Sequence, residues 1–98
     1  MHAAPTLGTN VTSSVEEYQE NKAIVRVEWE QGLLADNYSV NLSSINRSTV
    51  DITNDNSIRL MLSYNNEYNF SLVANNCGGT STSLSTTFMV GEWIPIML

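Results

Sequence analysis

A single cysteine, Cys77, leaves no intramolecular disulfide to form, so the fold must hold by its core alone. The single histidine is His2. A hydrolytic site built on a Cys or Ser nucleophile needs a base and a group to orient it, and the rest of the chain has no imidazole to offer. Basic side chains are equally scarce. Lys22, Arg26, Arg47 and Arg59 stand scattered against ten acidic residues, for a net charge of −6. Nucleic acid requires a basic stripe that displaces counterions, and an anionic lipid surface requires a basic cluster; neither is present. No apolar run approaches a membrane span, and the opening MHAAPTLGTN lacks the apolar centre of a secretory signal. There is no Gly-rich phosphate loop and no Cys/His cluster at metal spacing, so no cofactor or metal is expected. Asp51 and Asp55 lie close in DITNDNS, but on a strand edge and turn, and without the glycine of a calcium-binding EF-hand loop. They read as solvated carboxylates, and no catalytic residue is expected.

What the chain has in quantity is Asn, Ser and Thr, about a third of all residues against much less in ordinary domains. These residues suit strand faces and turns and suit helix interiors poorly. At 98 residues the chain is one domain, able to bury roughly two-thirds of its unfolded surface. Turn signals recur roughly every 8–12 residues with short alternating runs between them, the pattern of an all-β sandwich or barrel. In KAIVRVEWEQ, Val25, Val27 and Trp29 share one face, and Arg26, Glu28 and Glu30 the other. In DNYSVNLSS, Tyr38, Val40 and Leu42 point in, and Asn37, Ser39 and Asn41 point out. STVDITND gives a shorter run through Val50 and Ile52. SIRLML places Ile58, Leu60 and Leu62 together. YNFSLVANN places Tyr68, Phe70, Leu72 and Ala74 together, and TSLSTTFMV can turn Leu84, Phe88 and Val90 inward. An edge strand near residues 4–13 brings the number to seven. VEEYQENKAIV has few apolar residues at helical spacing and reads as a long acidic loop after that first strand.

Taken in order, these elements resemble a fibronectin type III domain. Pro5 opens the first strand, Trp29 sits towards the end of the second in VRVEW, and Tyr38 sits in the third. Leu62 precedes Tyr68 by six residues, and the run Tyr68, Phe70, Leu72, Ala74, Asn76 ends in Gly-Gly-Thr-Ser. The resemblance spans roughly residues 5–90 and implies an all-β, seven-stranded, antiparallel two-sheet sandwich of immunoglobulin-like architecture. Trp29, Tyr38, Leu62, Tyr68, Phe70 and Leu72 are its expected structural core, with Leu62 and Tyr68 forming a tyrosine corner. An immunoglobulin domain fits less well: it would place its Trp on the third strand and a Cys where Phe70 stands. Gly78 and Gly79 are expected to allow positive φ in the turn before the last strand.

The domain is expected to span residues 5–91. Residues 1–4 read as a flexible start, with Met1 and His2 a cloning remnant. Residues 92–98 (EWIPIML) read as an apolar tail or the start of a further segment, and a route to self-association if exposed. The resemblance implies a non-catalytic extracellular module of an adhesion, receptor or matrix-type protein, a monomer by itself, acting as spacer and protein-binding surface. The alternative is a passive spacer in a secreted multidomain enzyme. Binding would use a sheet face or the loops at residues 31–35 and 75–80, with cell-surface or matrix proteins as partners. Five Asn-x-Ser/Thr triplets, at Asn10, Asn37, Asn41, Asn46 and Asn69, are candidate N-glycosylation sites. Asn37, Asn41 and Asn69 are expected on one outer sheet face. Cys77 sits in a turn, where it is an incidental surface thiol or one free to pair with another chain.

Overall fold

Eight strands build two antiparallel sheets in the computed structural model, which describes residues 3–45 and 47–91. The smaller sheet joins β1 (Val11–Tyr18), β2 (Lys22–Trp29) and β5 (Ser57–Ser63) in the order β1-β2-β5. The larger joins β3 (Asn37–Ser43), β4 (Ser48–Thr53), β6 (Glu67–Asn76) and β7 (Gly79–Thr80) in the order β4-β3-β6-β7, and β8 (Leu84–Met89) also pairs with β6. β8 is the last strand expected from the sequence, whereas β7 is an additional short pairing with β6 inside the Gly-Gly-Thr-Ser stretch read as the turn before it. Between β7 and β8, Ser81 stays tied to β6: its N–H donates to the Ala74 carbonyl at 2.9 Å, and its Oγ accepts from the Ala74 N–H at 2.9 Å. A side-chain oxygen thus takes the place of a ladder carbonyl, and regular pairing resumes at Leu84.

The inner faces follow the alternation in the sequence. Ala23, Val25, Val27 and Trp29 of β2, Tyr38 and Val40 of β3, Leu60 and Leu62 of β5, and Phe70, Leu72 and Ala74 of β6 are buried in one cluster. Leu84, Phe88 and Val90 pack against it half-buried. Trp29 lies between the sheets, edge-on to Tyr38 at 5.4 Å between ring centroids and tilted to Phe70 at 6.4 Å; Phe70 in turn meets Phe88 edge-on at 5.6 Å. Such edge-to-face pairs contribute about 0.5–1.5 kcal/mol beyond the area that they bury. The indole Nε1 of Trp29 is buried and meets no acceptor among the described residues. Below the core, the Tyr68 hydroxyl accepts from the Ser63 N–H at 3.0 Å, which fastens β6 to the end of β5 just upstream. This is the geometry of a tyrosine corner.

The first strand differs from the sequence expectation. β1 covers residues 11–18 rather than 4–13, and so takes in Val15–Tyr18, the first part of the stretch read as an acidic loop. The reason is its edge position. Only Val11 and Val15 are half-buried, so the strand needs little apolar sequence, and Glu16 and Glu17 remain in solvent. A β-bulge between Val15 and Glu17 breaks the period-two pattern as well. The hairpin to β2 is short, closed by the Gln19 N–H on the Lys22 carbonyl at 2.8 Å. Pro5, expected to open the first strand, is buried ahead of it. The segment it begins adds only an isolated bridge between Thr6 and Leu33. Gly79, the first residue of β7, has φ +136°, whereas Gly78, in the turn before it, does not take the positive φ expected of it. The tail at 92–98, His2 and Asn46 lie outside the described residues.

Candidate functional site

At one end of the sandwich, three separate pieces of chain meet. The loop from β2 to β3 (residues 30–36), the turn from β6 to β7 and the segment before β1 enclose a groove of about 370 Å³, with Ala3, Gln31, Leu34, Asp36, Asn76 and Cys77 among its walls. The β2–β3 loop is held rather than free. Thr6 and Leu33 exchange both backbone hydrogen bonds, at 3.0 and 3.1 Å, and the Gly32 N–H donates to the buried Tyr38 hydroxyl at 2.8 Å. Gly32 is required here: a Cβ at this position would stand 2.7 Å from the Thr6 carbonyl oxygen, which is backbone and cannot swing aside.

Asn76 is the hub of the arrangement. Its Nδ2 donates to the Ala3 carbonyl at 2.8 Å and to the Leu34 carbonyl at 2.9 Å, and its Oδ1 accepts from the Gly78 N–H at 2.7 Å. One amide therefore ties the leading segment, the β2–β3 loop and the β6–β7 turn together.

What the loop displays is unusual for a solvated turn. Leu33 is 73% exposed and Leu34 is 64% exposed. Leu34 also has φ +60°, in the left-handed region that a bulky residue rarely occupies. Strain of this kind costs on the order of 1–3 kcal/mol and persists where the surroundings enforce it, which is characteristic of ligand-contacting segments. Here the enforcing contacts are the Thr6 bridge and the Asn76 amide. Cys77 stands exposed on the rim. The arrangement offers apolar contact area, a fixed backbone and a thiol. Among the described residues no three His, Cys, Asp or Glu side chains come close enough to hold a metal ion.

The candidate glycosylation sites are spread over the molecule. Asn10 is exposed, and its Nδ2 donates to Glu30 Oε1 at 2.6 Å. Asn37 is half-buried, with its Oδ1 accepting from Asn75 Nδ2 at 2.9 Å; the same nitrogen also donates to Ser39 Oγ at 2.8 Å. Asn41 and Asn69 are exposed on the outer face of the larger sheet, where Asn41 pairs with Ser71 and Asn69 with Ser43. Asp51 and Asp55 are exposed on β4 and in the turn that follows.

The family resemblance placed loops at residues 31–35 and 75–80, of which the second narrows to residues 77–78 between β6 and β7, and it gave Leu33, Leu34 and Asn76 no role at this end. The available signal was an apolar pair directly after a glycine in otherwise polar surroundings.

No known family's sequence pattern matches the chain, and no curated protein sequence matches it. Solved structures do. The crystal structure of FN3tt superposes with a TM-score of 0.74 at 22% identity, covering 94% of this chain and 100% of that one. A computationally redesigned β-sandwich protein superposes at 0.69 and 23% identity over 100% and 99% of the two chains. The twitchin kinase region from C. elegans contains a similar stretch, at 0.55 and 15% identity, over 81% of this chain and 16% of that one. The smaller sheet of β1, β2 and β5, faced by the larger one built on β3 and β6, defines an antiparallel two-sheet sandwich. The particular sandwich is that of fibronectin type III domains, which this chain resembles in fold.

Proposed function

We propose that this chain is a non-catalytic extracellular module of a larger adhesion, receptor or matrix-type protein, and that it binds a protein partner through the loop end of the sandwich. The observation that carries the reading is the pair Leu33 and Leu34. Two adjacent leucines are held in solvent, one of them at φ +60°, by contacts from two other segments. Displaying apolar surface costs solubility, and fixing it in a strained backbone costs stability. A preorganised apolar contact offsets both costs when a partner covers it, because little is left to order on binding. The partner implied is a protein with an apolar recess. The negative charge of this chain favours one with a neutral or basic rim.

Fluorescently labelled chain applied to adherent cells and to deposited matrix tests the reading. Saturable binding that the double substitution Leu33→Ser, Leu34→Asn reduces at least about tenfold, the order of a small hot spot, supports it. Both side chains are exposed, so the substitution leaves the core intact. Binding that survives the substitution contradicts it. Absence of binding on every surface favours the second reading, a passive spacer in a secreted multidomain enzyme. The support for that alternative is the twitchin comparison, in which a sandwich of this kind forms a minor share of a much longer chain.

A further inference from the structure

The outer face of the larger sheet carries almost no charge. Reading across the register, it presents Asn37, Ser39, Asn41 and Ser43 from β3, Ser48, Val50 and Ile52 from β4, Asn69, Ser71, Val73 and Asn75 from β6, and Ser85, Thr87 and Met89 from β8; Glu67, at one end, is its single ionised side chain among the described residues. Val50 and Ile52 are 63% and 69% exposed on β4, the outermost strand. Like charge keeps copies of a protein apart, and here that protection is missing from a broad surface that ends in an apolar edge.

Two observations coincide on this face. Asn41 and Asn69 each begin an Asn-x-Ser/Thr triplet. Both are exposed, and neither side-chain amide is engaged in a hydrogen bond among the described residues, unlike those of Asn10 and Asn37. They stand diagonally across the β3–β6 ladder beside a shallow groove of about 380 Å³ walled by Ser43, Ser71, Ser85 and Thr87.

We propose that Asn41 and Asn69 are N-glycan acceptors, and that the sugar lies over this uncharged face and shields the Val50–Ile52 edge. In the transfer, the acceptor amide nitrogen attacks the anomeric carbon of a lipid-diphosphate-linked oligosaccharide. The new C–N bond forms as the bond from that carbon to the diphosphate oxygen breaks, the lipid diphosphate departs, and the amide gives up one proton. The donor and the transferase belong to the secretory compartment, so the inference rests on the extracellular reading. The groove hydroxyls supply hydrogen-bond partners for the first sugar residues. With this face covered, the loop end remains as the open protein-binding surface.

The test uses the full 98-residue chain, secreted from eukaryotic cells behind a cleavable signal and also made without modification in bacterial cytoplasm. Peptide mapping is expected to find carbohydrate on Asn41, on Asn69 or on both in most secreted molecules. Stepwise loss of mass is expected in Asn41→Gln and Asn69→Gln, and equally in Ser43→Ala and Ser71→Ala, which remove the triplets but keep the asparagines. The unmodified chain is expected to self-associate in sedimentation velocity, and Val50→Thr with Ile52→Thr to return it to monomer. Both asparagines bare in most molecules overturns the acceptor assignment. An unmodified chain as monomeric as the secreted one, or association that survives the Val50 and Ile52 changes, overturns the shielding. Because the signal is supplied, these outcomes judge the sites; the extracellular reading fails separately, if antibody finds the native protein in the cytosol.

Discussion

Across the smaller sheet, the outer register sets Arg26 directly opposite Arg59, with Glu16, Glu17, Lys22 and Glu28 around them. Across the larger sheet, it sets Asn41 between Val50 and Ser71, and Ser71 beside Ser85. Both faces cover the same core, and both must be wetted. The smaller does it with ions, and then has to manage a like-charge pair, which a strand ladder disfavours when the two residues lie opposite. Glu16 reaches Arg59 at 2.7 Å and Glu28 lies 2.6 Å from Arg26, so each guanidinium has a carboxylate of its own. The larger face uses neutral amides and hydroxyls, which need no counterion and repel nothing. A negatively charged domain can therefore keep one broad face available for a covering or a partner while the other keeps molecules apart.

The interior that the two sheets share sets the scale for any change to either face. Trp29→Ala should lower stability by about 3–5 kcal/mol in urea denaturation. Trp29→Phe should cost much less, because the lost Nε1–H meets no acceptor. If both cost the same, the ring is not held between the sheets as described.

The two tyrosine hydroxyls come next. Tyr38→Phe strands the Gly32 N–H in a buried place and should cost about 1–3 kcal/mol; Tyr68→Phe releases the Ser63 N–H to solvent and should cost roughly 1 kcal/mol. The reverse order would contradict the assigned burial. Tyr38→Phe should also loosen the β2–β3 loop, seen as faster amide exchange at Gly32 and Leu33. Gly32→Ala should give the same loosening by pushing against the Thr6 carbonyl.

The smallest effects separate the faces themselves. Glu16→Gln should cost under about 1 kcal/mol at low salt and nothing measurable in molar salt, since its partner is mostly solvated and screening is strong. Ser71→Ala on the uncharged face should stay within about 0.5 kcal/mol at any salt concentration. Parallel denaturation curves at two ionic strengths check both; salt dependence at Ser71 would erase the contrast.

Alternation made most of the sandwich legible in the sequence. Val25, Val27 and Trp29, then Tyr38 and Val40, then Phe70, Leu72 and Ala74 repeat every second residue because each strand buries one face only, and those are the residues found buried. β1 was not legible, because an edge strand with two half-buried valines and a bulge leaves no such period. The loop end was legible as a location and not as a site. Asn76 reaches Ala3 across 73 residues of sequence, and the left-handed turn at Leu34 is imposed by Thr6 and Asn76, neither of which is its neighbour in sequence. The glycosylation triplets carry no information about exposure. Alternation points Asn37, Asn41 and Asn69 outward, as the register has them, but only the structure distinguishes Asn37, tied to Asn75, from the open Asn41 and Asn69.

Photo-crosslinking tests the central claim, that the loop end is the binding end, most directly. A photoreactive amino acid replaces Leu34, Arg26 or Ser85 in turn, and the protein is irradiated in cells that make its native surroundings; Ser85 lies on the uncharged face and outside both acceptor triplets. The account predicts a discrete protein adduct from position 34 and none from position 26 on the charged face or position 85 on the uncharged one. Adducts from 26 or 85 with none from 34 would contradict it.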